Sequence, residues 1–136
     1  MKRSIVAAMW VISVGIALGV GLAVGQQSAP TETKGANFMP GGEIPLGNQI
    51  QGTEGRVLRM RKLTLAPGGV AAVHSHKERP AFALVLEGTL TEHREGRGPK
   101  DYKPGEVLVE TVDVVHWAEN KGSTPVVAIL ADVYKP

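Results

Sequence analysis

The chain of 136 residues contains no cysteine, which excludes disulfide frameworks, thiolate metal sites, iron–sulfur clusters, thiol nucleophiles and lipid attachment through sulfur. Aromatic residues are scarce, with two each of Trp, Tyr and Phe, so a core must be filled by Val, Leu, Ile and Ala. An excess of charge of one sign is also missing. The formal net charge of +2 comes from Lys2 and Arg3, and from residue 26 onward thirteen basic residues balance thirteen acidic ones. A neutral domain without a Lys or Arg cluster lacks the electrostatic footprint of a nucleic-acid binder. After residue 25 no stretch carries a helical face over three turns, and no internal repeat stands out beyond a strand–turn rhythm. The length suits one domain with a real core and is too short for two.

One long hydrophobic run is present, and it lies at the N-terminus. Lys2 and Arg3 precede an uncharged stretch over residues 5–24, the arrangement of an export signal with its basic end in the cytoplasm. Ala23 and Gly25 supply the small residues that signal cleavage requires, between Gly25 and Gln26. The run has 20 residues, as many as the ~20 that span a bilayer, so an uncleaved inner-membrane anchor is the rival reading. Both readings place the rest of the chain outside the inner membrane, periplasmic or secreted, with any membrane contact made through residues 5–24 alone. Residues 26–42 are polar, aperiodic and rich in Pro, Gly and Ser, and read as a flexible linker. A turn-rich segment over 43–55 reads as an ordered arm laid along the domain that fills 43–136.

From Arg56 onward the apolar segments are short and rich in Val and Leu: 57–65, 70–76, 82–86, 106–110, 114–117 and 126–134. Turn signals separate them at 66–69, 87–89, 95–100, 103–106 and 120–125. Segments of this length and spacing predict an all-β fold, an antiparallel sandwich or barrel.

Four histidines lie in this region: His74, His76, His93 and His116. His74 and His76 are two apart on a predicted strand and therefore share a face. Alone, such a pair is as readily a solvated surface feature. His116 lies forty residues beyond His76 in a strand-like VVHW segment, and an antiparallel barrel can bring that strand beside the first. Three neutral imidazoles facing one cavity suit a borderline divalent cation. His93, among charged residues before a turn, reads as an exposed surface histidine.

The glycines around these residues carry a resemblance. Residues 68–88, GGVAAVHSHKERPAFALVLEG, resemble the first motif of the cupins, with Gly68, His74, His76 and Gly88 in register. Residues 105–120, GEVLVETVDVVHWAEN, resemble the second at Gly105, His116 and Asn120. The resemblance covers roughly residues 55–134 and implies a cupin jelly-roll β-barrel, preceded here by the signal or anchor segment. It also implies a metal held by His74, His76 and His116, and a homodimer through edge strands. Two departures matter. The place of the first motif's metal-binding glutamate falls on Ala81 or Pro80, neither of which can ligate. Glu78 is nearby, in a charged KER turn where a solvated carboxylate is the simpler reading. In the second motif Thr111 and Asp113 replace proline and glycine, which alters the turn more than the metal site.

A three-histidine site leaves coordination positions open and keeps the ion's full positive charge, which favours an anionic, bidentate ligand. Iron, manganese, nickel, zinc and copper all accept imidazole. With iron the resemblance implies dioxygen chemistry on a chelating substrate; with zinc or manganese, Lewis-acid isomerisation or hydrolysis. Asn120 is a candidate to fix the ring of His116, or else a turn former in ENKG. Arg59 and Arg61 share strand parity with Leu63 and Leu65, and clamp a carboxylate if the strand is unbulged, or sit in solvent if it is frayed. No Ser–His–acid set, phosphate-cradling loop or paired-carboxylate spacing stands out. Two function classes remain: an exported metal-dependent enzyme, of dioxygenase type, acting on a small anionic molecule, and a non-catalytic cupin that binds or senses a metal or small ligand.

Overall fold

The computed structural model describes residues 28–136; the signal or anchor segment expected over residues 1–25 lies outside that range. Among the described residues there are eight strands and no helix. They are β1 (Lys34–Pro45), β2 (Val57–Ser75), β3 (Ala81–Glu87), β4 (Leu90–Arg94), β5 (Lys100–Tyr102), β6 (Val107–Glu110), β7 (Val115–Glu119) and β8 (Val126–Tyr134). Their order is β5-β4-β7-β2-β8-β3-β6, with β1 added on β2, and every pairing is antiparallel. The result is an all-β, nearly closed barrel.

The segments expected over 57–65 and 70–76 are a single strand rather than two. β2 pairs with β8 over its first half and with β7 over its second, so residues 66–69 form a corner at which the chain changes walls without ending. Gly69 makes the corner possible: a Cβ there would lie 2.7 Å from the Ala66 carbonyl oxygen and 2.8 Å from the Leu65 side chain, closer than real Cβ atoms approach. Asn120 locks it. Its backbone NH donates to Gly69 O (3.0 Å) and its carbonyl accepts from Gly68 NH (2.9 Å). Its side chain donates to Leu65 O (3.0 Å) and Thr124 O (2.8 Å) and accepts from Gly122 NH (2.9 Å).

The flexible linker expected over 26–42 is ordered in most of its length. Lys34 onward belongs to β1, which pairs with β2, and Pro30 and Thr33 accept hydrogen bonds from Val73 NH (2.9 Å) and Ala72 NH (3.0 Å). Backbone pairing with an open strand edge demands no apolar periodicity, so a polar, glycine-rich sequence joins a sheet without announcing it.

The core is Leu65, Ala83, Val85, Leu90, Tyr102, Leu108, Ala118 and Val126, small aliphatics with one aromatic. Its parity follows the strands: on β3 Ala81, Ala83 and Val85 point in while Phe82 is exposed, and on β6 Leu108 and Glu110 point in while Val107 and Val109 are exposed.

Removing the Asn120 carboxamide leaves the buried Leu65 carbonyl, and the partly buried Thr124 carbonyl and Gly122 NH, without their partner. The Asn120→Ala variant is expected to lose about 2–3 kcal/mol of unfolding free energy, measurable by urea denaturation, where a loss below about 0.5 kcal/mol contradicts the staple role.

Candidate metal centre

Register brings the histidines together. His74 and His116 are direct cross-strand partners on β2 and β7, and His76 continues past the end of β2, its backbone NH held by Val114 O at 2.9 Å. A bulge between Ala71 and His74 gives β2 one residue more than β7 over that interval. Ala71 and Ala118 are also partners and pack on the core. Strict alternation from Ala71 would send His74 and His76 outward; the extra residue turns both inward. The substituted turn before β7 closes through its own groups: Thr111 Oγ1 donates to the Asp113 carboxylate, and Val114 NH donates to Thr111 O (3.0 Å).

The three Nε2 atoms stand 3.1 Å from one another in every pairing. Each ring is oriented by an acceptor behind it. His74 Nδ1 lies 2.8 Å from Ala72 O and His76 Nδ1 3.0 Å from Arg79 O; a carbonyl only accepts, so both Nδ1 atoms carry the proton. His116 Nδ1 lies 2.8 Å from Glu92 Oε1. Glu92 is fully buried, and burial raises its pKa. Hydrogen bonds from His116, Arg94 and Arg97 more than reverse that, leaving it at about 2, so the carboxylate is ionised and Nδ1 of His116 is again the donor. Burial lowers the pKa of His74 and takes His76 down to about 4, so near neutrality both rings are uncharged and their Nε2 lone pairs are bare. The bare Nε2 lone pairs of His74 and His76 therefore converge on Nε2 of His116, an arrangement that a cation held by all three nitrogens would satisfy. At an ion about 2.1 Å from each nitrogen they subtend about 95°, nearer the facial angle of a five- or six-coordinate site than a tetrahedron. The donor set fits a divalent transition metal.

Glu110 completes the polar lining, 3.5 Å from Nε2 of both His76 and His116. It is the register partner of Ala81 across β3 and β6, so a carboxylate stands one strand over from one of the two places, Ala81 or Pro80, to which the resemblance assigns the missing glutamate. Burial raises its pKa. Asp132 on β8 is the other register partner of Ala81 and also faces Arg59. Glu110, Ala81, Asp132 and Arg59 thus form one row across four strands. A cavity of about 260 Å³ opens on the three histidines, Glu110, Asp132, Arg61 and Arg79, with apolar walls from Leu63, Leu90, Leu108 and Leu130.

The other candidates sort differently. Arg61 lines the cavity, as its parity with Leu63 implies, and no shift interrupts β2 against β8. Arg59 does not; it is bound to Asp132 in a two-pronged pair at 3.0 and 2.8 Å. Asn120 touches no histidine, and its side chain is spent on the corner of β2. Glu78 is exposed in a turn with φ 59°, away from the cavity. His93 stands apart from the site, but it is half-buried rather than exposed, stacked at 3.7 Å on Trp117 with Nε2 2.7 Å from Glu119. Glu92, Glu110, Arg79 and Asp132 were not legible as site residues. The one available signal was a charged residue sharing parity with buried neighbours, as Glu110 does with Leu108.

Glu92 contributes stability that is fully present above its unfolded value near 4.5 and is lost as pH falls toward about 2. The shift corresponds to something on the order of 3 kcal/mol. Glu92→Gln is expected to lower unfolding free energy by that order at pH 7, with the gap to the parent narrowing between pH 4.5 and 2; a gap constant through that range contradicts the assignment.

Three comparisons bear on the family. The cupin domain model (Cupin_2) matches residues 61–132. An auxin-binding protein, ABP19b, of Prunus persica is 30% identical over 84 residues, covering 59% of this chain and 40% of that protein; the chain spans about two-fifths of the length of the curated relatives it matches. Among solved structures, the cupin domain of Schizosaccharomyces pombe Cnp3 aligns with a TM-score of 0.59 at 10% identity, over 76% of this chain and 69% of that one. A recombinant oxalate oxidase in complex with glycolate aligns with a TM-score of 0.56 at 21% identity, over 75% and 52%. These structural likenesses establish the fold, and the match over more than half the chain establishes membership: the chain belongs to the cupin domain family.

Proposed function

We propose that this cupin holds one divalent transition-metal ion (iron, manganese, nickel, zinc or copper) on His74, His76 and His116, and that it is an oxidoreductase of dioxygenase type acting on a small, chelating, anionic organic molecule. The observation that carries the reading is the convergence of three Nε2 atoms at 3.1 Å on a cavity of about 260 Å³. The proposal includes export, through residues 1–25 either cleaved after Gly25 or kept as an anchor.

A redox-active ion at this site supplies dioxygen chemistry, and a redox-inert one supplies Lewis acidity. The chain's own residues do the rest. Ala72 O, Arg79 O and Glu92 hold the three rings in the Nε2-ligating tautomer, the orienting role such partners play behind metal ligands. Burial raises the pKa of Glu110, and its carboxylate, 3.5 Å from Nε2 of His76 and of His116, would offer an oxygen as fourth donor beside the three nitrogens. Leu63, Leu90, Leu108 and Leu130 give the cavity apolar walls, which lower the local dielectric and strengthen polar contacts beside them. The oxalate oxidase of the same fold, solved with glycolate, supports a small ligand.

The purified chain is expected to carry about one metal ion per barrel and His76→Ala to carry none, measured by elemental analysis. Oxygen uptake on a panel of chelating phenols, thiols and oxo acids supports the enzyme; stoichiometric metal with no uptake on any of them assigns the non-catalytic, ligand-binding alternative. No bound metal at micromolar supply contradicts both. Glu110→Gln is expected to retain the ion with affinity lowered about ten- to a hundred-fold, read by competition with a chelator; unchanged affinity removes Glu110 from the donor set.

A further inference from the structure

We propose that Arg61 and Arg79 form an anion subsite in the wall of the same cavity, so that the molecule this protein takes is a small organic dianion: one acidic end for the metal, the other for the guanidinium pair. The identity of the first end rests on the metal reading above; the second does not.

The subsite follows from how three arginines share one carboxylate. Asp132 is 2% exposed, and Arg59 already occupies both of its oxygens, Nε on Oδ1 at 3.0 Å and Nη2 on Oδ2 at 2.8 Å. The Arg59 guanidinium also lies 3.9 Å from the centre of the Tyr134 ring. That pair is complete. Arg61 Nη2 reaches the same Oδ2 only at 3.4 Å, and Arg79 Nη1 only at 3.7 Å. Two positive charges are therefore left with a late claim on an oxygen that is already held.

Arg61 shows the deficit in its own atoms. Its Nε is buried without any hydrogen-bond partner, the one such side-chain atom among the described residues. A buried NH of a charged group that bonds nothing is costly. Its other surroundings offer no acceptor of comparable strength: the ring of Phe38 lies 5.3 Å from its guanidinium carbon, and Leu63 and Leu130 line the wall beside it. Burial accordingly depresses its pKa against the pull of Asp132. The Nε itself is out of reach, but the side chain is 21% exposed and lines the cavity, so a guanidinium whose own hydrogen bonds are incomplete stands open on that side to a carboxylate.

Both ends open into one space. Arg61, Arg79, Asp132, Glu110 and the three imidazoles line the same cavity, and the charges of Arg61 and Arg79 are close enough to bear on His74. The two carboxylates in that lining do not satisfy the arginines. Asp132 is spent on Arg59, and Glu110 lies against His76 and His116. Arg79 joins the two ends through its own backbone, since its carbonyl orients His76 while its side chain stands at the guanidinium end.

Calorimetric titration of the manganese-loaded full chain with succinate and with butyrate, of equal carbon number and differing by one carboxylate, tests the subsite. Succinate is expected to bind about ten- to a hundred-fold more tightly, the worth of one added charge-assisted pair. Arg61→Gln is expected to abolish that advantage with metal stoichiometry unchanged. Arg61→Lys, which keeps the charge and lacks the fork, is expected to reduce it at least about threefold, and it decides the matter if the Gln variant does not fold. Equal binding of the two acids, or an advantage that survives in the folded variants, overturns the proposal. If the chain takes up neither manganese nor iron, nickel, zinc or copper, the metal reading fails by itself. Butyrate binding to the metal-free chain, present in the parent and lost in the Arg61 variants, then supports the subsite, and its absence overturns it.

Discussion

The site depends on one extra residue. Up to Ala71 the inward parity of β2 is fixed by packing, with Ala71 against the core. Without the bulge before His74 the two imidazoles would project from the outer surface, and no rearrangement of side chains could recover them, because a one-residue slip inverts a whole strand. With it, His74 falls opposite His116 on β7. The corner at 66–69 works one level higher, carrying β2 from β8 to β7 so that a single strand borders both the histidines and the arginines. Asn120 secures that corner, and through it the register on which the cluster relies.

Much of this was legible in sequence because spacing is a local quantity. Two histidines two residues apart share a face whichever face that is, and β8 appears over the same residues as its apolar run, 126–134. Which face is inner is a tertiary fact. In EVLVE both parities carry aliphatic residues, so nothing local marks Glu110 as buried and Val109 as exposed. The same ambiguity hid Asp132 within ILADVY and Glu92 within LTEHR. The polar N-terminal segment failed for the opposite reason: β1 adds to an edge through its backbone and leaves most of its side chains exposed, so its residues carry no period to read.

Position 81 shows how a motif residue is lost while a carboxylate remains in the same cavity. The cupin resemblance puts its metal-binding glutamate there or at Pro80; this chain has Ala81, a small residue flanked in register by Glu110 on one side and Asp132 on the other. Opposed residues in an antiparallel pair lie within about 5.5 Å at Cβ, so moving the acid across one rung keeps it beside the histidines. Alanine in its place removes bulk from the centre of that row, where the cavity lies, with Ala83 behind it lining the same space.

The two fully committed carboxylates, Glu92 and Asp132, flank the cavity differently, and the difference indicates where a ligand belongs. Glu92 is bound by His116, Arg94, Arg97 and Tyr102 at hydrogen-bond distance, and neither of its arginines lines the cavity. Its role is to fix an imidazole, and its charge is balanced on the spot. Asp132 is likewise balanced, by Arg59, but two further guanidinium groups crowd the same oxygen from the cavity side. The surplus stands in the wall of the cavity that also holds the histidines, where the second acidic end of the proposed dianion would sit.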